Sequence, residues 1–458
     1  MKKLKNILSI FLLFLFTISF LFSFKTYICI NKFNTNKVIK HIDYLSSDRL
    51  QGRLPGTLEN RIAEQYVKSQ FKNYKLQPLD KNYLQSFKIK YPSKIYNKTP
   101  YLNVVDKNNR VVKEFKYGKD YKEDMLNFKE NNITFTKDNC NFSSDGVRAT
   151  AKESSVVFYC TSKNLDFRSS FMIDAPASMY IMITKDTLSE IYNYIKSGYA
   201  LNCYIPYTIK DTYVNNVTAK IEGKDRNLPP LVLSAHFDHV GADLSGTVYN
   251  GALDNASGVA FIIEMSKVIQ SLGKPNRDII FTAFNGEEFG FVGSTAFVEK
   301  YSTELKGSKV FNFDMIGGDT SVPLCIMGSK KDSYNNEFLN SISTTCSNEK
   351  INFNRMFEDA SDHKPFRDHN IDAITFCDND TSKIHTPKDN VEFIKEDSIT
   401  RCFSVASKEV LKYSFRNNPF IIYYKVFMIV SFTGIIVVTC YFIYGRKKSS
   451  SKHKQNIK

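Results

Sequence analysis

No C-x-x-C pair occurs in this chain, although it holds nine cysteines in 458 residues. That excludes both a zinc knuckle and a thioredoxin-type redox motif. A basic cluster is also missing from the middle of the sequence. The formal charge is +15, but nine of the positive charges sit near the two ends, at Lys2, Lys3, Lys5, Arg446, Lys447, Lys448, Lys452, Lys454 and Lys458. The remainder is spread as on an ordinary surface, with no track for a phosphate backbone, so no nucleic-acid partner is expected. Long hydrophobic runs are absent except in two places, residues 7–24 and 421–444.

Both runs reach the length of a membrane crossing. The first is apolar but for Ser9, Thr17, Ser19 and Ser23, and the second carries a single charge, Lys425 near its start. Lysines outside each run put both ends in the cytoplasm and the middle of the chain outside, by the positive-inside rule. No small-x-small cleavage pattern follows the first run, which is long for a signal peptide, so it is expected to stay as an anchor in the cell membrane. Two crossings around a large exterior segment leave no intramembrane polar pathway, which excludes a transporter. Residues 1–6 and 445–458 are then short cytoplasmic ends, the latter basic. Exterior cysteines suit disulfides. Cys29 and Cys440 lie in or beside the membrane runs and leave an odd seven, whose pairing stays open. Glycosylation sequons such as Asn97 and Asn132 are what an asparagine-rich chain produces by chance, and a further one, Asn255, falls inside the candidate site below.

Between the runs the texture changes twice. Residues 36–90 contain a G-R-L-P-G-T loop from Gly52 to Thr57 and then a helical pattern over 58–74, with Ile62, Ala63, Tyr66, Val67 and Phe71 on one face. Residues 91–213 are short β-branched and aromatic runs broken by turns, which predicts an inserted β-rich module with no evident chemistry. From 214 to 415 strands and helices alternate. Candidate strands are 217–221, 231–236, 278–284, 309–314, 324–328 and 373–377, and candidate helices are 256–270, 292–300, 336–347 and 396–415. That order predicts an α/β architecture, a mostly parallel central sheet covered by helices on both faces.

The ends of those strands carry the chemistry. An apolar run delivers His236, Phe237 and Asp238 at the edge where open α/β sheets place ligands. His236 suits a metal through one ring nitrogen while Asp238 takes the other. Asp254 opens the next helix and could bridge two ions with its two oxygens. Glu287 and Glu288 follow a buried strand in a glycine-flanked loop, where one can ligate a metal while the other acts as general base. Asp314 ends another strand before two glycines, and His385 lies in the loop after the last.

H-F-D-H, D-N-A-S-G, N-G-E-E-F-G, N-F-D-M-I-G, S-D-H-K-P-F and I-H-T-P-K-D, in this order and approximate spacing, resemble the co-catalytic zinc aminopeptidases of metallopeptidase family 28. The G-R-L-P-G-T loop looks like that family's N-terminal region, and the inserted segment is placed like the protease-associated domain of many members. The resemblance implies the zinc-aminopeptidase fold and two Zn²⁺ per chain, other divalent ions being accepted by such ligand sets. It implies that His236 and Asp314 bind one ion and Glu288 and His385 the other, with Asp254 bridging, Asp238 orienting His236 and Glu287 as general base. It further implies a cis peptide bond between Asp254 and Asn255. The expected activity is removal of N-terminal residues from peptides with a free N-terminus.

His239, Asp362 and His363 are candidate pocket residues, whereas His41 and His369 are background. The chain departs from some relatives at Ile384, where they have a tyrosine that polarises the substrate carbonyl. Two alternatives stay open: a glutaminyl cyclase of the same fold with a single zinc, and a non-catalytic receptor-like ectodomain.

Overall fold

The computed structural model describes residues 2–151, 154–161 and 164–455. Met1 and the last three residues of the predicted basic tail lie outside them. The organising element is a nine-stranded mixed sheet. Its centre is four parallel strands in the spatial order Ile279–Phe284, Leu231–His236, Lys309–Phe313 and Asp372–Asp378. Every residue of the first two is buried, as continuous apolar runs demand of strands covered on both faces. Leu231, Leu233 and Ala235 face a core shared with the helices Gly258–Ser271, Thr35–Leu45 and Glu396–Ser414. Val232, Ile280 and Val310 face the opposite layer, with Phe297 of the helix Val292–Tyr301 and Phe366 of the helix His363–Asp368.

The flanks of the sheet are antiparallel, which the strand–helix alternation did not reveal. Leu324–Gly328 runs against Asp372–Asp378 and carries the short parallel strand Phe353–Phe357 at the edge. On the other side Tyr207–Ile221 is far longer than the predicted 217–221. Its last part, from Val217, pairs with Ile279–Phe284, and residues 207–217 with Leu84–Lys94. This strand pair crosses both predicted module limits, with Lys90 opposite Asp211. Thr35–Leu45 is a helix whose buried stripe is Val38, His41, Ile42 and Leu45, at the i, i+3, i+4, i+7 spacing of one helix face.

Residues between these two long strands form a five-stranded and a four-stranded sheet. They also contain a helix, Lys185–Lys196, where the sequence suggested almost none. Their core runs without a break into the peptidase-like part, since Val240, Tyr249 and Phe289 belong to the same apolar cluster as Val104, Phe128 and Phe158. The seam also holds buried ion pairs, Arg168 to Glu123 at 2.9 Å and Lys122 to Asp243 at 3.2 Å.

Helices Lys2–Ile30 and Tyr424–Gln455 both contain stretches long and apolar enough to cross a membrane. They lie side by side and antiparallel. Tyr27 meets Tyr424, the Ser431 hydroxyl donates to Ser19 at 2.7 Å, and Phe16 packs on Gly434. The far ends of the two helices are therefore on one side and the folded body on the other. All nine cysteines are unbridged thiols.

Candidate metal centre

The four parallel strands end at one edge of the sheet, and the residues that follow them converge there. His236 closes its strand, Glu287 and Glu288 form the turn after Phe284, Asp314 follows Phe313, and His385 comes from the loop beyond Asp378. Asp254 arrives from a π-helical turn, Ala252–Ser257, ahead of its helix, and its peptide bond to Asn255 is cis. Two groups of ligand atoms result. His236 Nε2 lies 3.4 Å from Asp254 Oδ1 and 3.4 Å from Asp314 Oδ1. His385 Nε2 lies 3.2 Å from Asp254 Oδ2 and 3.0 Å from Glu288 Oε1. The two oxygens of Asp254 thus face one group each. Glu287 lies beside the first group, its Oε2 4.0 Å from His236 Nε2.

These residues fit divalent cations on two observations. His236 Nε2 and Asp314 Oδ1 are buried and have no hydrogen-bond partner, a state that native interiors avoid unless an ion or water supplies the missing contact. Anionic oxygen is also crowded here, from Asp254, Glu287, Glu288 and Asp314, with Arg53 the buried guanidinium that faces part of it. Burial opposes charge on His236, yet Glu287 and Asp314 outweigh it and hold the imidazole well above 6.5. Glu288 and Asp254 do the same to His385. Burial lifts the Glu287 carboxyl well above its usual range, opposed by His236 and reinforced by Glu288, Asp362 and Asp314.

The remaining predicted residues separate by their contacts. Asp238 sits 3.7 Å from His236 Nδ1, beyond hydrogen-bond length, while its two oxygens accept from the backbone N–H groups of Glu287 and Glu288, both at 3.2 Å. It therefore holds the glutamate turn. Asp362 accepts from Ser294 at 2.5 Å, and burial pushes its carboxyl up to about 7. His363 has both nitrogens engaged, by Thr375 and by the Glu358 carbonyl, each at 2.8 Å, so it packs rather than lines the cavity. His239 faces Glu288, with Nδ1 3.0 Å from Oε1. Of the background histidines, His41 meets Tyr66 and His369 the Pro365 carbonyl. Asn255 is fully buried, bonding the Phe313 carbonyl and the N–H groups of Gly258 and Met315, so its sequon offers no glycan acceptor.

Other residues in the machinery stand inside the motifs above, but the sequence assigned them no definite role. Asp389 accepts from the N–H groups of Leu253 and Asp254, at 2.7 and 3.0 Å, and so sets the turn that presents Asp254. Ser361 donates to Asp314 Oδ2 at 2.7 Å. Arg53, fully buried, donates to the carbonyls of Leu45, Phe237, Asn250 and Gly251. Its neighbour Gly52 sits where a Cβ would come within 2.4 Å of the Gly241 carbonyl, so the G-R-L-P-G-T loop is a clamp on the ligand-bearing loops. Arg53→Met would strand the carbonyls of Leu45, Phe237 and Asn250, while that of Gly251 keeps the Ala256 N–H, and is expected to lower stability by about 3 kcal/mol or more, read as thermal unfolding of the detergent-solubilised chain.

The inserted segment also reaches the centre. The Ser170 hydroxyl donates to Glu288 Oε2, the Phe171 N–H to the Glu288 carbonyl at 2.8 Å, and the Arg168 N–H to the His385 carbonyl at 3.1 Å. Ser170 thus fixes the ligand carboxylate from outside. Removing such a support typically lowers metal affinity 10–100-fold. Ser170→Ala should therefore lose metal to a competing chelator about tenfold more readily than the unaltered chain.

Around these groups is a cavity of about 460 Å³, lined by Asp254, Glu287, Glu288, Asp314 and Glu358 and by an apolar wall including Met172, Met327 and Met356. Ile384 lies on it. No lysine, arginine or tyrosine lines it among the described residues.

Residues 216–410 match peptidase family M28. Aminopeptidase YwaD of Bacillus subtilis is 31% identical over 232 residues, 47% of this chain and 49% of that one. A vacuolar membrane protease of Clavispora lusitaniae is 38% identical over 96 residues, 21% of this chain and 9% of that one. The chain thus spans about half the length of the first relative, 49%, and a much smaller part of the second, 9%. Among solved structures, BSAP, a zinc aminopeptidase from Bacillus subtilis, superposes with a TM-score of 0.59 at 18% identity, covering 83% of this chain and 96% of that one. The fold is therefore the zinc-aminopeptidase fold, and the chain carries a peptidase family M28 domain across residues 216–410.

Proposed function

We propose that the chain is a membrane-anchored metallo-aminopeptidase that hydrolyses N-terminal residues from peptides. The observation that carries this reading is the cavity, in which two groups of metal-ligand atoms share Asp254 and the wall offers carboxylates but, among the described residues, no lysine or arginine. A substrate α-ammonium group is attracted to such a wall. A substrate α-carboxylate finds no lysine or arginine there among the described residues, which disfavours a carboxypeptidase.

Two divalent ions, zinc in the first instance, would be held by His236, Asp254 and Asp314 on one side and by Asp254, Glu288 and His385 on the other. When bound, they supply Lewis-acid activation of a water and of the scissile carbonyl. Glu287 takes the proton of the attacking water and returns it to the leaving amine, for which its raised pKa suits it. Asp238 and Asp389 hold the turns that present the glutamates and Asp254, and Ser170 and Ser361 hold two of the ligand carboxylates.

The reading extends to organisation. Residues 7–24 and 421–444 span the membrane as an antiparallel pair, with residues 36–90 and 214–415 as the peptidase domain and 91–213 as the inserted module. The positive-inside rule puts that body outside the cell and residues 1–6 and 445–458 in the cytoplasm. The YwaD and BSAP names support the activity.

The test uses the full chain in detergent with aminoacyl anilides, alongside the same compounds acetylated on the amine. Hydrolysis of the free-amine series alone, abolished by a chelator and restored by zinc, is expected. Equal cleavage of the acetylated series, or indifference to the chelator, would overturn the proposal.

A further inference from the structure

We propose that His239 is a fourth protein ligand of the ion held by Asp254, Glu288 and His385, so that this half of the centre is closed by protein while the His236 half stays open. The inference rests on the two-metal reading above.

His239 follows the strand Leu231–His236 by three residues and is fully buried. Its ring is seated against Gly251, where any Cβ would come within 2.5 Å of its Cδ2. In that position Nδ1 is 3.0 Å from Glu288 Oε1 and 3.9 Å from Asp254 Oδ2. His385 Nε2 approaches the same two oxygens, at 3.0 and 3.2 Å, and the two rings meet edge to face with centroids 5.4 Å apart. The four ligand atoms lie within 4.8 Å of one another. Zinc bonds of about 2.0–2.2 Å in a tetrahedron need ligand-to-ligand edges of about 3.3 Å, which this spread brackets. A histidine serving only as a hydrogen-bond donor to Glu288 would stand behind that carboxylate. Here both imidazoles point at the one space bounded by Glu288 Oε1 and Asp254 Oδ2. Glu288 Oε2, the oxygen turned away, is held by Ser170 instead.

The other group offers three residues, His236, Asp254 and Asp314, with Glu287 beside it; the cavity itself is lined from both groups, by Asp254 and Asp314 and by Glu288 and His385. Four protein ligands characterise closed, tight sites, and three with a vacancy characterise catalytic ones. The two halves are thus unequal. The first metal equivalent fills the closed half, and the second confers activity.

The experiment takes the full chain in detergent, stripped of metal and loaded with two equivalents of Zn²⁺. X-ray absorption counts imidazoles per zinc, and a chromophoric chelator competes for the ions. The expected result is three imidazoles shared by two ions in the unaltered chain and two in His239→Ala. The tighter site of that variant should weaken by more than the 10–100-fold that loss of an outer support brings. His239→Gln keeps an N–H donor for Glu288 and a polar side chain in the same space. If it restores the affinity of the unaltered chain, or if that chain shows only two imidazoles with both ions bound, the role of His239 is overturned and the peptidase reading stands. A chain that takes up no zinc overturns both.

Discussion

Replacing Glu287 with glutamine is expected to lower kcat on an aminoacyl anilide by about 10²–10⁴-fold, the range a positioned general base contributes, with both metal ions retained. The substitution changes the proton chemistry and almost nothing else. Glu287 belongs to neither group of ligand atoms, and its Oε2 stands 4.0 Å from His236 Nε2. The turn that carries it is held through its backbone N–H by Asp238, at 3.2 Å, and a glutamine leaves that bond intact. Its carboxyl, raised by burial and by the neighbouring carboxylates, can accept and return a proton, which an amide cannot. KM should change only a few-fold, because a lost transition-state interaction lowers kcat and kcat/KM together. Metal content by mass spectrometry and steady-state kinetics together decide the point. A Gln variant with near-normal kcat, or one that sheds metal, would remove Glu287 from the role.

The sequence made some of this centre legible for a physical reason. His236, Glu288 and Asp314 each follow a run of apolar residues, and in a parallel sheet such runs end on the same edge. Ligands separated by tens of residues are therefore neighbours in space whenever the strands are. Asp254 stands in the turn that opens a helix and His385 on a loop, so neither is marked by a strand end as the other three are. Asp389 and Arg53 escaped because their partners are backbone N–H and carbonyl groups, which every residue has and no pattern marks. Ser170 escaped for a different reason. It meets Glu288 across 118 positions of chain, from a segment whose own sequence is unremarkable, and nothing local indicates that an inserted loop will fold onto a ligand. The antiparallel flank was obscured likewise. Tyr207–Ile221 is exposed or half-exposed over much of its first part and buried over most of its last, so only the end reads as a core strand.

Asp254→Ala should be the most damaging single change, because it acts on both halves of the centre at once. One oxygen faces His236 at 3.4 Å and the other faces His385 at 3.2 Å. Removing the carboxylate leaves His236 and Asp314 on one side and Glu288 and His385, with His239, on the other. Both ions should bind at least about 100-fold more weakly, since losing a direct ligand exceeds the loss of an outer support, and turnover should fall below detection. Asp314→Ala makes the useful contrast, because Asp314 faces only the His236 half. It should release one ion and keep the other at the affinity of the unaltered chain. Asp389→Asn separates the ligand from its scaffold. It keeps an oxygen for one of the N–H groups of Leu253 and Asp254, so it should weaken both ions in parallel but far less than the loss of Asp254 itself. If Asp254→Ala instead gives up a single ion, like Asp314→Ala, its two oxygens do not serve two cations and the centre is not bridged.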